Sequence, residues 1–305
     1  MRAYREQLWL LLVCLTIGGC AAADQVIKGS TGILERHGYI TEEQKESLDR
    51  TAIAFRKGFQ DLTDEEEYYI GRSVAANILA RYPMHSDRAL QDYINLVGMA
   101  VVYASDRPET FAGYHFAVLA SDEVNAFAAP GGLIFVTSGM LKLLSNEEQL
   151  AGILAHEVGH IAKRHGLASI KQSRLTSAFG VMAEEGARHY SPEGLQKLVT
   201  AFDGALSDVM STLMERGYSR TQEYEADQLG TLYANRSGYE PHGIRDFLKA
   251  FKAHEPEGGG LGFYRTHPGT EERLTKVNDF IQGEGLTGRT EKVRTERFKK
   301  YIAQL

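Results

Sequence analysis

The chain has 305 residues, 43% hydrophobic and 24% charged, with ten histidines, two cysteines and a formal net charge of −6. That length and balance fit a folded domain with a sizeable core, and they exclude a low-complexity or disordered chain. The positive residues are scattered over an acidic chain, which leaves no basic face, so no nucleic-acid partner is expected.

The first residues stand apart from the rest. Arg2 and Arg5 precede an apolar run from Leu8 to Ile17, which ends in Gly18-Gly19-Cys20. A basic start, a short apolar stretch and small residues before a cut site describe a secretory signal, and the run is too short to span a bilayer as a helix. Ile17-Gly18-Gly19-Cys20 resembles the bacterial lipoprotein signal, which implies that residues 1–19 are removed and that Cys20 becomes the lipidated first residue. A plain signal cut nearby is the alternative. Cys14 would leave with the signal, so the exported chain would hold no disulfide. Ala21 after the cysteine looks like the form sorted to the outer membrane in Gram-negative bacteria, which implies a lipid anchor at the periplasmic face of that membrane. Residues 20–60 are read as a tether and helical leader, and 61–305 as one domain.

Thr41-Glu42-Glu43-Gln44 and Thr63-Asp64-Glu65-Glu66 each fit a capping box and predict helices near 42–58 and 64–82. Ser86 is the expected cap of a third helix through about Ala104. Tyr114 to Ala120 alternates in polarity and predicts a strand, and Leu133 to Thr137 predicts a second, entered through Pro130-Gly131-Gly132. Ser145-Asn146-Glu147-Glu148 is expected to open the helix that carries His156-Glu157-Val158-Gly159-His160. Helical patterns dominate from 166 onward, with breaks near Gly217, Gly238 and 255–262.

On a helix, residues four apart share a face, so His156 and His160 can direct two imidazoles at one ion. Zinc in a catalytic site takes three protein ligands and keeps one open position. Glu157, one step around, is placed to act as general base and then acid for a water at that position. The motif lies on an apolar stripe of Leu150, Ile153, Leu154, Val158 and Ile161, where paired His and Glu are costly unless something satisfies them. Position 166 is Gly rather than a third histidine, and His165 would lie half a turn away from His156 on a continuous helix. No cysteine other than Cys20 would remain to supply a thiolate. A carboxylate is left. Glu223 and Asp227 are four apart within a predicted helix from Thr221 to Asn235, so Glu223 can be the third ligand while Asp227 fixes a ligand histidine. Glu225 lies on another face.

These motifs together resemble peptidase family M48, which includes CAAX prenyl proteases, HtpX heat-shock proteases and soluble periplasmic relatives. The likeness rests on His156-Glu157-Val158-Gly159-His160 with His165-Gly166 behind it, on Ser219 to Asp227, on Asn125-Ala126-Phe127 leading to Pro130-Gly131-Gly132, and on Thr266-His267-Pro268 with Arg273. The resemblance implies an α+β, mainly helical, zincin-like (gluzincin) fold with a small β-sheet and an HExxH helix. It also implies one zinc ion per chain held by His156, His160 and Glu223. With no second hydropathic span in the chain, it is more similar to the periplasmic lipoprotein members than to the membrane-embedded ones.

The strand from Gly131 to Thr137 is the expected substrate edge, with Asn125, Gly131 and Gly132 beside it. His267 is the candidate oxyanion donor and Arg273 a brace that pairs with a carboxylate. The 166–220 stretch is a candidate lid. The expected activity is a zinc endopeptidase acting on misfolded or mistargeted envelope polypeptides. The second reading is a zinc-binding periplasmic chaperone or assembly lipoprotein that cleaves little.

Overall fold

The computed structural model describes residues 42, 62–170, 203–204, 206–254, 262–303 and 305. The expected signal, Cys20, the tether, nearly all of the predicted 42–58 helix and residues 171–202 of the candidate lid lie outside them.

Helix α1 (Asp64–Arg81) starts at the predicted capping box: Thr63 accepts from the Glu66 backbone and Glu66 returns the bond. Helix α2 (Arg88–Tyr103) is capped by Asp87 rather than Ser86, because the Asp87 carboxylate reaches both the Ala89 and Leu90 amides. Three strands follow, β1 (His115–Leu119), β2 (Ala126–Ala129) and β3 (Leu133–Thr137). Strand β2 was not expected; its Ala-Phe-Ala-Ala run is too short and too uniformly apolar to alternate visibly.

The sheet order is β1-β3-β2, with β3 parallel to β1 and antiparallel to β2. This corrects the expectation that residues 131–137 form an edge: β3 is the central strand, with both sides hydrogen-bonded. Gly131 and Gly132, at φ 79° and 99°, instead turn the chain from β2 into β3. A Cβ on Gly131 would stand 2.8 Å from Tyr68 Cα, so the turn also packs directly on α1.

Strand alternation divides the sheet between two apolar clusters. Phe116, Val118, Ala126, Ala128, Ile134 and Val136 face the main core, built on α2 and the later helices. Leu119, Phe127, Ala129 and Phe135 face a second cluster made with Ile70, Val74 and Ile78 of α1 and with Val209, Leu213 and Met214. The last three precede or lie within a π-helical turn, Thr212–Arg216. They place the C-terminal end of the candidate lid against the sheet.

After α3 (Ser138–Leu143) comes the central helix α4 (Glu147–Ala162). Its cap is Asn146, one residue later than expected, and Gln149 bonds back to the Ser145 amide. The expected stripe understates its burial: every residue from Glu147 to Ile161 is buried. Helix α5 (His165–Ala168), α6 (Arg220–Arg236), α7 (Gly243–Ala253), α8 (Phe263–Thr266), α9 (Thr270–Gly283) and α10 (Lys292–Ile302) complete the described elements. The first turn of α4 is tied down by the C-terminal helix. Buried Glu147 accepts from Tyr93, Tyr239 and Arg297, while Glu148 accepts from the Glu240 amide and Arg294. Two carboxylates at a helix N-terminus also suit the helix dipole.

Helices α4 and α6 lie against each other through glycines. A Cβ on Gly230 would stand 2.8 Å from His156 N, and one on Gly159 would stand 3.3 Å from Ala226 Cα. The side chains of His156 and Glu223 meet because the backbones approach this closely. Gly230→Ala is expected to cost about 1–3 kcal/mol by overpacking, read as a lowered denaturation midpoint, because helix backbone rather than a pliant side chain must move.

Candidate active site

Helix α4 directs His156 and His160 to one point, with their Nε2 atoms 3.1 Å apart. Helix α6 brings Glu223 opposite them: its Oε2 is 3.7 Å from His156 Nε2, and its Oε1 is 3.6 Å from His160 Nε2. A fourth side chain joins this group. His267, just after α8, places Nδ1 3.0 Å from Glu223 Oε1 and 3.4 Å from His156 Nε2. All four side chains are buried, and one donor atom from each lies within 4.8 Å of the others. Its ring is held by Phe263, stacked at 3.8 Å. The sequence-based role for His267, a donor to a developing oxyanion, needs an imidazole standing off the metal; the structure puts it among the candidate ligands.

Glu157 is fully buried, and neither carboxylate oxygen has a hydrogen-bond partner among the described residues. His267 Nε2 is 3.9 Å from its Oε1. An unpartnered buried carboxylate beside three convergent imidazoles and a second carboxylate is costly unless a ligand enters the centre. The donor set of nitrogen and carboxylate oxygen suits zinc. The residues present therefore fit a metal ion such as zinc.

Beneath this group lies a buried ion network. Asp227 Oδ1 stands 2.9 Å from His156 Nδ1, and both Asp227 oxygens accept from Arg273 at 2.7 Å. Arg273 also reaches Glu223 Oε2 at 2.8 Å and the His267 carbonyl at 3.2 Å. Asp227 thus lies behind His156, and Arg273 lies between the Asp227 and Glu223 carboxylates.

Electrostatics follow from burial. Burial, and then the charge of Glu223, pushes the Glu157 carboxyl well above its usual range. Burial pushes Glu223 up to about 7, against the pull of Arg273. Burial would raise Asp227 too, but the Arg273 guanidinium holds it below the usual carboxylate range. Burial lowers His156, His160 and His267, which favours the neutral, metal-binding form of each imidazole.

One expectation about the helix end is overturned. Helix α4 stops at Ala162, and Arg164 adopts φ 54°, the one positive φ at a non-glycine among the described residues. The chain therefore turns back, and His165, expected to face elsewhere, lies with Nδ1 2.9 Å from His160 Nδ1. Extrapolating a continuous helix past Lys163 hid this contact. Glu225 faces away from the metal group as expected, yet it accepts from His165 Nε2 at 3.1 Å. Tyr218 was also missed; its ring stacks on His160 at 3.9 Å. A tyrosine ahead of the α6 cap carries no pattern that could mark it from sequence.

Asn125 is buried and bonds locally, its amide oxygen to Ala126 N and its amide nitrogen to Glu123. Ala128 and Pro130 border a narrow cleft with His160, Gly166 and Leu167, so the outer side of β2, not β3, runs beside the candidate metal group.

Arg273 is fully buried between two carboxylates. Arg273→Met is expected to destabilise the metal-free protein by about 3–5 kcal/mol, measured by urea denaturation, since it strands both charges.

A model of peptidase family M48 matches residues 88–281. The beta-barrel assembly-enhancing protease of Escherichia coli (strain K12) is 27% identical over 220 residues, covering 70% of this chain and 43% of that protein. Its counterpart from Yersinia pestis is 29% identical over 228 residues, covering 72% and 44%. Mitochondrial metalloendopeptidase OMA1 of Schizosaccharomyces pombe is 25% identical over 242 residues, covering 77% and 66%. This chain spans less than half the length of the two bacterial relatives. The family match takes in α2 through most of α9, and with them every residue of the buried cluster, so the chain belongs to peptidase family M48.

Proposed function

We propose that the chain is a zinc-dependent endopeptidase acting on unfolded or mistargeted cell-envelope polypeptides, with Glu157 as the general base and acid. The observation that carries this reading is Glu157 itself: fully buried, without a hydrogen-bond partner among the described residues, and set beside the convergent group of His156, His160 and Glu223. A site that served folding alone would have no use for a carboxylate kept free of partners. The names of the bacterial relatives support an envelope setting.

Zinc, when bound, supplies a Lewis acid that polarises the scissile carbonyl and acidifies water. The chain's own residues do the rest. Glu157 takes the proton of the attacking water and passes it to the leaving amine nitrogen, and its raised proton affinity suits both halves of that exchange. Asp227 and Arg273 hold His156 and Glu223 in place without taking part in proton transfer. The outer edge of β2 offers backbone donors and acceptors to an extended peptide, a mode of binding that tolerates many sequences. A lipid anchor at Cys20, exposing the domain at the periplasmic face of the outer membrane, fits the leader sequence; among the described residues no helix is long and apolar enough to cross a membrane.

The position of His267 favours a second reading enough to keep it. Four protein donors around one metal describe a closed, structural site, as a zinc-binding chaperone or assembly factor would have. We read His267 instead as occupying the position that substrate must take, so that the geometry described is a resting one. His267 sits on a short connection between α8 and α9.

Glu157→Gln is expected to retain zinc while chelator-sensitive cleavage of casein falls at least about 100-fold. Retained cleavage would sink the mechanism, and full genetic complementation by this variant would favour the chaperone reading. His267→Ala is expected to raise casein cleavage, because it opens the fourth position. A loss of about 100-fold would instead restore the oxyanion role.

A further inference from the structure

The two ligand histidines have different outer partners. His156 has a buried carboxylate directly behind it, Asp227. Among the described residues, His160 has no carboxylate in that place. Its Nδ1 faces another imidazole, that of His165, at 2.9 Å. His165 is 4% exposed, and its far nitrogen, Nε2, lies 3.1 Å from Glu225 Oε2. The other Glu225 oxygen pairs with Lys163 at 2.9 Å.

Donor and acceptor roles along this chain are dictated from its outer end. A carboxylate held by a lysine can only accept, so His165 Nε2 must be the donor. In a neutral ring that leaves His165 Nδ1 as the acceptor, and His160 Nδ1 must then carry the proton it receives. His160 Nε2 is left with its lone pair, and Nε2 is the atom that faces His156, Glu223 and His267. Reversing any one bond would put a proton on the wrong side of His160.

We infer that Glu225 and His165 form an outer chain that locks His160 in its metal-binding tautomer, which makes His165 a positioning residue of the site. This rests on the zinc site proposed above. The local backbone is shaped for the purpose. Arg164, held at φ 54°, donates to the Leu62 carbonyl at 2.9 Å and reaches Glu67 at 3.1 Å. The turn it makes brings His165 back beneath the helix it has just left. Tyr218 covers the other face of His160, so the imidazole is fixed by stacking and by hydrogen bonding from different sides. One ligand is thereby braced from the interior and the other from a half-exposed carboxylate at the surface.

The test is zinc affinity, measured by competition with a chromophoric chelator on the full chain. His165→Leu is expected to weaken zinc binding about 10–100-fold, the usual cost of removing an outer partner. His165→Asn can present an amide oxygen near the place of Nδ1, and is expected to recover most of the loss. In the zinc-loaded parent, nitrogen-15 NMR is expected to show His165 protonated on Nε2 alone. Zinc affinity in His165→Leu within about twofold of the parent would overturn the inference. So would an Asn variant no better than the Leu variant, or a His165 protonated on Nδ1. A parent that takes up no zinc would overturn both this inference and the proposed function. Normal zinc affinities with the expected pattern but no proteolysis would leave this inference standing and remove only the proposed function.

Discussion

A helix buried on every side cannot leave a polar group to water, and α4 carries five charged or titratable side chains from Glu147 to His160. Each must be answered from a neighbouring element. Much of the architecture follows from that demand. At the first turn, Glu147 and Glu148 require Tyr93, Tyr239, Arg294 and Arg297, which fixes α10 against the N-terminus of α4. In the middle, His156 requires Asp227, and Asp227 in turn requires Arg273, so α6 and α9 must both reach inward. At the last turn, His160 requires His165, so the chain must reverse immediately after the helix ends. Glu157 alone among them has both oxygens without a hydrogen-bond partner among the described residues. Its isolation is informative because the rest of the helix is so fully served.

The elements that could be read from sequence were those with local causes. The Thr63 box, the strand from Leu133 and the two histidines four apart each depend on residues within a few positions of one another. Glu223 was reached by excluding other ligand types, and Asp227 by the spacing of one helix turn. What escaped notice depended on distant backbone. Strand β2 is legible only once β3 supplies its partner. Whether β3 is an edge depends on how three strands are ordered, and no local pattern carries that information. His165 was misplaced because helix geometry was continued past a residue that leaves it; a positive φ at an arginine has no sequence signature. His267 was singled out as a candidate from sequence, but its place in the buried cluster depends on Phe263 and Arg273 together, which hold its ring and its carbonyl.

Charge and shape are organised at different depths. Asp64, Glu67, Arg107 and Arg164 form a second ion network between α1 and the end of α4, and Glu67 also accepts from the Gly131 amide at 3.1 Å. The turn between β2 and β3 is therefore tied to the same helix end that orients His165. Sheet, leading helix and candidate metal group are joined through one buried carboxylate rather than through apolar contact alone.

The division of the sheet between two cores has a mechanical result. Moving any strand by one residue would send large side chains such as Phe127 and Phe135 to the side now filled by Ala126 and Ala128, and neither core has room for the exchange. The strands are consequently locked along their length. An extended segment laid against β2 would meet a ruler whose marks stand at constant distances from His160. Which of its bonds came to rest over the centre would be decided by where it docked, and the sheet could not slide to accommodate another.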